Sequence, residues 1–174
     1  MNKNQQMLLT FALLIALLGV LAVLRPHPHP VQSLIGRPAP AFTHTFTHTA
    51  FSDSALRGHV TVVNFFASWC PPCEAENSVL LSLKNKGKVV VYGVDYKDSP
   101  AKLHRFLSRV GNPYTTVTPD PAGTFSALWH VSGVPETFVI DKDGIIRYRR
   151  RQPLTPADVK TNLLPLIQSL KTAP

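Results

Sequence analysis

Cysteine is scarce in this chain, with two among 174 residues, at Cys70 and Cys73. A multi-bridge framework of the kind that staples small secreted domains is therefore excluded, and a bridge closing so short a loop gains little loop-closure entropy. No second C-x-x-C is present, and none of the seven histidines has a sequence-local relation to the cysteines. A closed four-ligand zinc site has no pattern to stand on. Acidic residues are also few, ten against 18 lysines and arginines, for a net charge of +8. Such a surplus raises nucleic-acid binding, but the basic residues are mostly dispersed and carry no nucleic-acid motif. The one dense run, Arg147, Arg149, Arg150 and Arg151, reads as a solvated or edge-strand cluster, with a docking patch for an acidic partner as the alternative. No internal repeat is visible.

Long apolar runs are confined to one, Met7 to Leu24, broken only by Thr10. As a helix these residues extend about 27 Å, enough to cross the hydrocarbon core of a membrane. A cleaved secretory signal has a shorter apolar region, about 7 to 15 residues, ending at a small-x-small site, whereas Ala22-Val23-Leu24 ends on a large residue. An uncleaved anchor at 7–24 is the expectation, with residues 1–6 as a cytoplasmic tail and the remainder exported. Prolines 26, 28, 30, 38 and 40 then make 25–38 a stiff extended tether, ahead of a folded domain at 39–171.

Within that domain "TVVNFFASW" (61–69) is a β-branched and aromatic run that predicts a buried strand. No glycine occurs from Cys70 to Lys84, and Val79, Leu80 and Leu83 fall at helical spacing, so a helix starts at the cysteines and stops at Gly87. "KVVVYGVDY" (88–96) predicts a second strand; Ser99-Pro100 starts a second helix, closed by Gly111-Asn112-Pro113. "ETFVID" and "IIRYRR" form a hairpin through Lys142-Asp143-Gly144, and a last helix from about Pro156 to Leu170 is bent by Pro165. "THTFTHT" (43–49) suggests an edge strand or hairpin. The order is that of an α/β layer, a mixed sheet flanked by helices.

Cys70 then follows a strand and opens a helix, where the helix dipole favours a thiolate, and Cys73 is one turn on, close enough to bridge. Trp-Cys-x-x-Cys at a strand-to-helix junction is a redox signal. Pro71 and Pro72 occupy first-turn positions whose N–H groups lack intrahelical partners, so the fold loses nothing by them. They do leave Cys73 N–H as the nearest donor to the Cys70 sulfur. The Cys70 pKa is accordingly expected to be only moderately depressed, as suits a reductant. The rival from another class is a copper-delivering protein using the two cysteines and a histidine, with His27, His29, His44 and His48 available.

"NFFASWCPPCEAE", "VYGVDYKD", "GNPY" and "SGVPETFVIDKDGIIRYRR" together resemble the membrane-anchored thioredoxin-like proteins of cytochrome c biogenesis, the CcmG/DsbE family, from about Gly36 to Arg149. The resemblance implies a thioredoxin-like fold and a dedicated reductant on the periplasmic side of a bacterial inner membrane. Its substrate would be an apocytochrome c with CxxCH cysteines, or a haem-lyase component, and a DsbD/CcdA-type transmembrane thiol transporter would recharge it. Trp69, next to the nucleophile at the strand's end, reads as an active-site lid that contacts substrate; the resemblance also implies a cis-proline at Pro135, facing the cysteines, with Val134 beside it contacting substrate, and an active-site acid at Glu76.

That last assignment agrees with the residues themselves. The position six before Cys70, an aspartate in ordinary thioredoxins, is Asn64 here, and Glu76 lies one helical turn from Cys73 on the same face. Glu76 can therefore relay the Cys73 proton if buried, while Glu74 is a first-turn carboxylate near the dipole. Cys70 is expected to attack a substrate disulfide and Cys73 to resolve the mixed disulfide, with no cofactor or metal. A general periplasmic thioredoxin-like reductase remains the alternative enzyme; a peroxiredoxin-like peroxidase, with a threonine three residues before its cysteine, meets Ala67 here.

Overall fold

The structure, a computed structural model, describes residues 2–23, 34–40 and 53–173, in two units, Met1–Gln32 and Ser33–Pro174. The first unit contains helix α1, Lys3–Val23, with Phe11, Leu14 and Leu18 exposed along it. Among the described residues it is the one helix long and apolar enough to cross a membrane.

The second unit is built on a five-stranded sheet in the order β3-β2-β1-β4-β5. Strand β1, Thr61–Phe66, is buried at all six positions, because it is central and apolar on both faces. It pairs in parallel with β2, Val90–Tyr96, and antiparallel with β4, Glu136–Ile140. Alternation along β1 divides the core: Val62 and Phe66 face the layer containing Leu80, Leu83 and Phe106, while Val63 and Phe65 face Trp129, Phe138 and Ile146. The hairpin between β4 and β5, Ile146–Arg150, turns where Asp141 Oδ1 accepts the N–H groups of Asp143 and Ile145, both at 2.9 Å, and Gly144 supplies a φ of +82°.

Helix α2, Pro71–Gly87, begins at Cys70 with Pro71 and Pro72 in its first turn. Gly87 is its last residue, as expected, and the left-handed residue that follows is Lys88, at φ +44°. The terminus is satisfied from elsewhere: the Lys171 ammonium donates to the carbonyls of Gly87 at 2.8 Å and Lys88 at 2.7 Å, a cation at the negative end of the helix. Helix α3, Pro100–Val110, ends at Gly111. Strand β3, Thr116–Asp120, and the short helix α4, Thr124–Leu128, are elements the sequence reading did not assign. Pro119 in β3 argues against a strand in general, yet β3 is an edge strand, where a missing N–H is tolerated.

The last helical run comprises α5, Pro156–Asp158, a widened π turn, Val159–Leu163, and α6, Leu164–Thr172. Thr155 and Asp158 form a reciprocal capping box at its start. Pro165 does act on this helix, but the irregularity is placed before it: Leu164 N–H reaches back to the Val159 carbonyl, five residues away, and the wider turn absorbs the donor and space that proline removes.

The stretch at 43–49 and most of the tether at 25–38 lie outside the described residues. Within the tether range, Leu34 is buried in the Phe138 cluster and the following residues run beside β5, with Gly36 N–H donating to Ile146 O at 2.7 Å and Ala39 N–H to Gly144 O at 2.8 Å. The arginine run lies on and beyond the other edge strand, β5, and each member faces a carboxylate: Arg147 with Asp141 at 2.5 Å, Arg150 with Asp158 at 3.0 Å, and Arg149 together with Arg151 on Glu136.

Candidate active site

Phe66 ends β1 opposite Asp95 of β2, and four residues on, at Cys70, the chain enters α2. Cys70 is the N-cap of that helix. Its sulfur is bonded to that of Cys73 and accepts the Cys73 N–H at 3.2 Å, the donor that remains when Pro71 and Pro72 supply none. Both cysteines are largely covered, while Trp69 beside them is half exposed, at 51%. Across from the pair, Val134 and Pro135 are joined by a cis peptide bond, and the Val134 carbonyl lies 3.6 Å from Cys70 Sγ.

Behind the disulfide lies a buried polar chain. Glu76 is 1% exposed, and its carboxylate accepts Asn64 Nδ2 at 2.9 Å and the Leu154 N–H at 2.8 Å. Asn64 also donates to Thr137 Oγ1 at 3.0 Å, and its carbonyl accepts the Tyr114 hydroxyl at 2.8 Å. Burial pushes the Glu76 carboxyl up to about 7, against the opposing pull of Leu154, Asn64 and the Arg150 charge. Tyr114 is also pushed up, first by burial and then by the negative charges of Glu76 and Asp95. Asp95, 1% exposed with its Oδ1 unpaired, is raised to about 7 by burial and then by Asp98. Two carboxyls near neutrality thus flank one phenol under the redox helix, a pattern associated with proton-handling sites.

Glu74 points away from this chain and forms a two-pronged ion pair with Arg109 of α3, whose hydrogen bond holds the carboxyl below its ordinary value. Next to Pro135, Glu136 is buried against Arg149; burial raises its carboxyl and the arginines oppose the rise. Arg149 also donates to His130 O at 2.8 Å and lies 5.3 Å over the Phe138 ring.

The structure therefore brings together Cys70, Cys73, Trp69, Val134 and Pro135 on one side and Glu76 behind them. Sequence reasoning did not find Asp95, Tyr114 or Thr137; "VDYKD" and "GNPY" were quoted, but nothing local marked Asp95 as a buried carboxyl or Tyr114 and Thr137 as hydrogen-bond partners of Asn64. Among the described residues no group of three or more His, Cys, Asp or Glu could hold a metal ion, and the four histidines considered as ligands lie outside those residues.

A family model described as Redoxin matches residues 34–163. Similar curated proteins include the thiol:disulfide interchange protein CycY of Rhizobium leguminosarum bv. viciae, 39% identical over 74% of this chain and 69% of the relative. HelX of Rhodobacter capsulatus, another thiol:disulfide interchange protein, is 38% identical over 86% of each chain, and DsbE of Pseudomonas aeruginosa is 36% identical over 82% of this chain and 81% of its own. Among solved structures, a putative thiol:disulfide interchange protein DsbE from Chlorobium tepidum superimposes with a TM-score of 0.67 at 27% identity, covering 78% of this chain and 97% of the other.

Proposed function

The chain belongs to the Redoxin family and, within it, to the DsbE-type thiol:disulfide interchange proteins, and from that membership we propose that it serves cytochrome c maturation as a membrane-anchored reductant. Its substrate is a disulfide in the CxxCH segment of an apocytochrome c, or in a haem-lyase component. α1 spans the inner membrane with its N-terminus inside, and the thioredoxin-like domain works in the periplasm.

The observation that carries this reading is the redox pair at a helix N-terminus with a neutral-range acid buried behind it. In the reduced protein the Cys70 thiolate attacks one sulfur of the substrate disulfide; the other substrate sulfur leaves as a thiolate and takes a proton. Cys73 passes its proton to the Glu76 carboxylate and, as a thiolate, attacks Cys70 Sγ. The bond to substrate breaks, the second substrate thiol is released, and the protein is left with the Cys70–Cys73 bridge. Two electrons from a DsbD/CcdA-type transmembrane dithiol restore it. Trp69 and the Val134–Pro135 segment form the surface on which an extended substrate lies, with backbone pairing beside Pro135.

A Cys73→Ser variant tests the reading, because it keeps the nucleophile and lacks the resolving thiol. It is expected to accumulate Cys70-linked mixed disulfides that contain apocytochrome c or a haem-lyase component. Recovery of a broad set of periplasmic proteins without either one would replace the dedicated role with that of a general reductase.

A further inference from the structure

Ser68 and Trp69 lead into the redox pair from beyond the last paired residue of β1, so no strand holds them. The turn between β2 and α3 does. Asp98 spreads its carboxylate over two backbone amides, accepting Ser68 N–H through Oδ2 and Ser99 N–H through Oδ1, each at 2.7 Å. One residue earlier, the Lys97 carbonyl accepts the Trp69 indole N–H at 3.1 Å. Lys97 presents that carbonyl from the left-handed region, at φ +49°, a conformation costly for a residue with a Cβ. Its own N–H is fixed on the Asp120 carbonyl at 2.9 Å, which ties the turn to β3. The Lys97 ammonium lies 5.1 Å from the centroid of the Tyr96 ring, and that ring is 6.4 Å from Trp69.

The arrangement supports Trp69 without covering it. A half-exposed indole beside a disulfide would gain by folding down over the sulfurs; here its polar edge is engaged on the side of the turn, and the residue before it is held by Asp98. The carboxylate lies at the start of α3, where the helix dipole favours an anion and where Ser99 makes no side-chain cap bond of its own.

We infer that Asp98 is a positioning residue for the redox site, and that with the Lys97 carbonyl it fixes Trp69 as the face against which a polypeptide disulfide is aligned with Cys70. The inference rests on thiol:disulfide interchange at Cys70 and not on which polypeptide is the natural substrate. A small aromatic disulfide reaches the sulfur without using the indole; a peptide lies across it. Losing the clamp should separate the two substrates, since pre-alignment of the binding face benefits only the larger one.

The test compares second-order rate constants of the reduced full chain with a disulfide-bonded CxxCH peptide and with 4,4′-dithiodipyridine, together with acrylamide quenching of tryptophan emission. Trp129 is fully buried, so the quenchable emission reports Trp69. Asp98→Ala is expected to slow the peptide reaction at least fivefold, to change the small-disulfide reaction by less than twofold, and to increase quenching. Asp98→Asn keeps an oxygen for Ser68 N–H and lacks the charge; it should stay within twofold of the parent protein in all three measurements. Should Asp98→Ala not fold, Asp98→Ser, too short to reach Ser68, takes its place with the same expectations. An unchanged ratio of the two rate constants in the alanine or serine variant would overturn the inference. So would an Asp98→Asn protein that behaves like Asp98→Ala, because the hydrogen bond to Ser68 N–H would then not be what sets the indole.

Discussion

Replacing Glu76 by glutamine should change how stability depends on pH more than it changes stability at any one pH. The folded protein keeps the Glu76 carboxyl protonated up to about 7, whereas the unfolded chain releases that proton near its ordinary value of 4.5. The folded state therefore binds the extra proton. The stabilisation is fully present below the unfolded pKa and is lost as pH rises through the folded one. At about 1.4 kcal/mol per pH unit for one proton, the loss amounts to roughly 3 kcal/mol by neutrality. Asp95 and Glu136 are raised as well and act in the same direction, so the wild-type curve is steeper than Glu76 alone would make it. Glu74, Asp141 and Asp158 are lowered and exert their influence only in more acid solution, which leaves pH 5 to 7 as the clean window. Glutamine does not titrate. Urea unfolding of the reduced protein at pH 5, 6 and 7 should show Glu76→Gln gaining about 2 to 3 kcal/mol on the wild type across the window, with a slope lower by about 1.4 kcal/mol per pH unit. Parallel curves would refute the reasoning, since they would mean that the carboxyl is ionised in the folded state at every pH tested. On the proposed mechanism the same variant also removes the acceptor of the Cys73 proton. Resolution of a preformed mixed disulfide at pH 7 should slow by about a hundredfold, measurable by quenched-flow separation of the adduct.

Two further substitutions test the packing around this chain. A Cβ at Gly93 would lie 2.8 Å from Phe66 Cε1 and 2.9 Å from Tyr114 Cδ1, both rings buried and stacked on each other, so Gly93→Ala should lower stability by about 1 to 3 kcal/mol and lower the thermal midpoint; an unchanged midpoint would mean that the rings have room to move. Arg149→Ala strips the buried Glu136 of its nearer cation and leaves Arg151 at 3.6 Å. It should cost about 3 kcal/mol in denaturant unfolding, and a double Arg149→Ala, Glu136→Gln variant should recover part of that loss.

The central strands and the helix between them were legible because each writes its own pattern: a β-branched run at 61–66, glycine-free helical spacing from Cys70, and turn residues at 142–144. The redox pair was legible for a related reason, since Trp69, Cys70 and Cys73 are neighbours in the chain. β3 and α4 were missed because they are held by partners rather than by pattern. Pro119 is acceptable only because the strand is at an edge, and α4 depends on the Asp120 carboxylate accepting Phe125 N–H, Ser126 N–H and the Ser126 hydroxyl. The chain of Tyr114, Asn64, Thr137 and Glu76 was out of reach for the same reason, as its hydrogen bonds span sequence separations of 12, 50 and 73 residues. Four arginines in a row of five residues looked like an open basic surface; their carboxylates come from β4, its turn and α5, and only folding sets them opposite.

A π turn holds one residue more than ordinary α-winding would place in the same rise, and Val159–Leu163 sits immediately ahead of Pro165. Were that slack to anneal into regular coils, everything downstream would swing by about 100° around the axis, carrying Ile167 from the interior toward water. A ring nitrogen that cannot donate removes part of the incentive for such annealing. The proline thus works less as a bend than as a ratchet pawl, keeping the terminal segment in the rotational phase at which it closes the floor beneath α2.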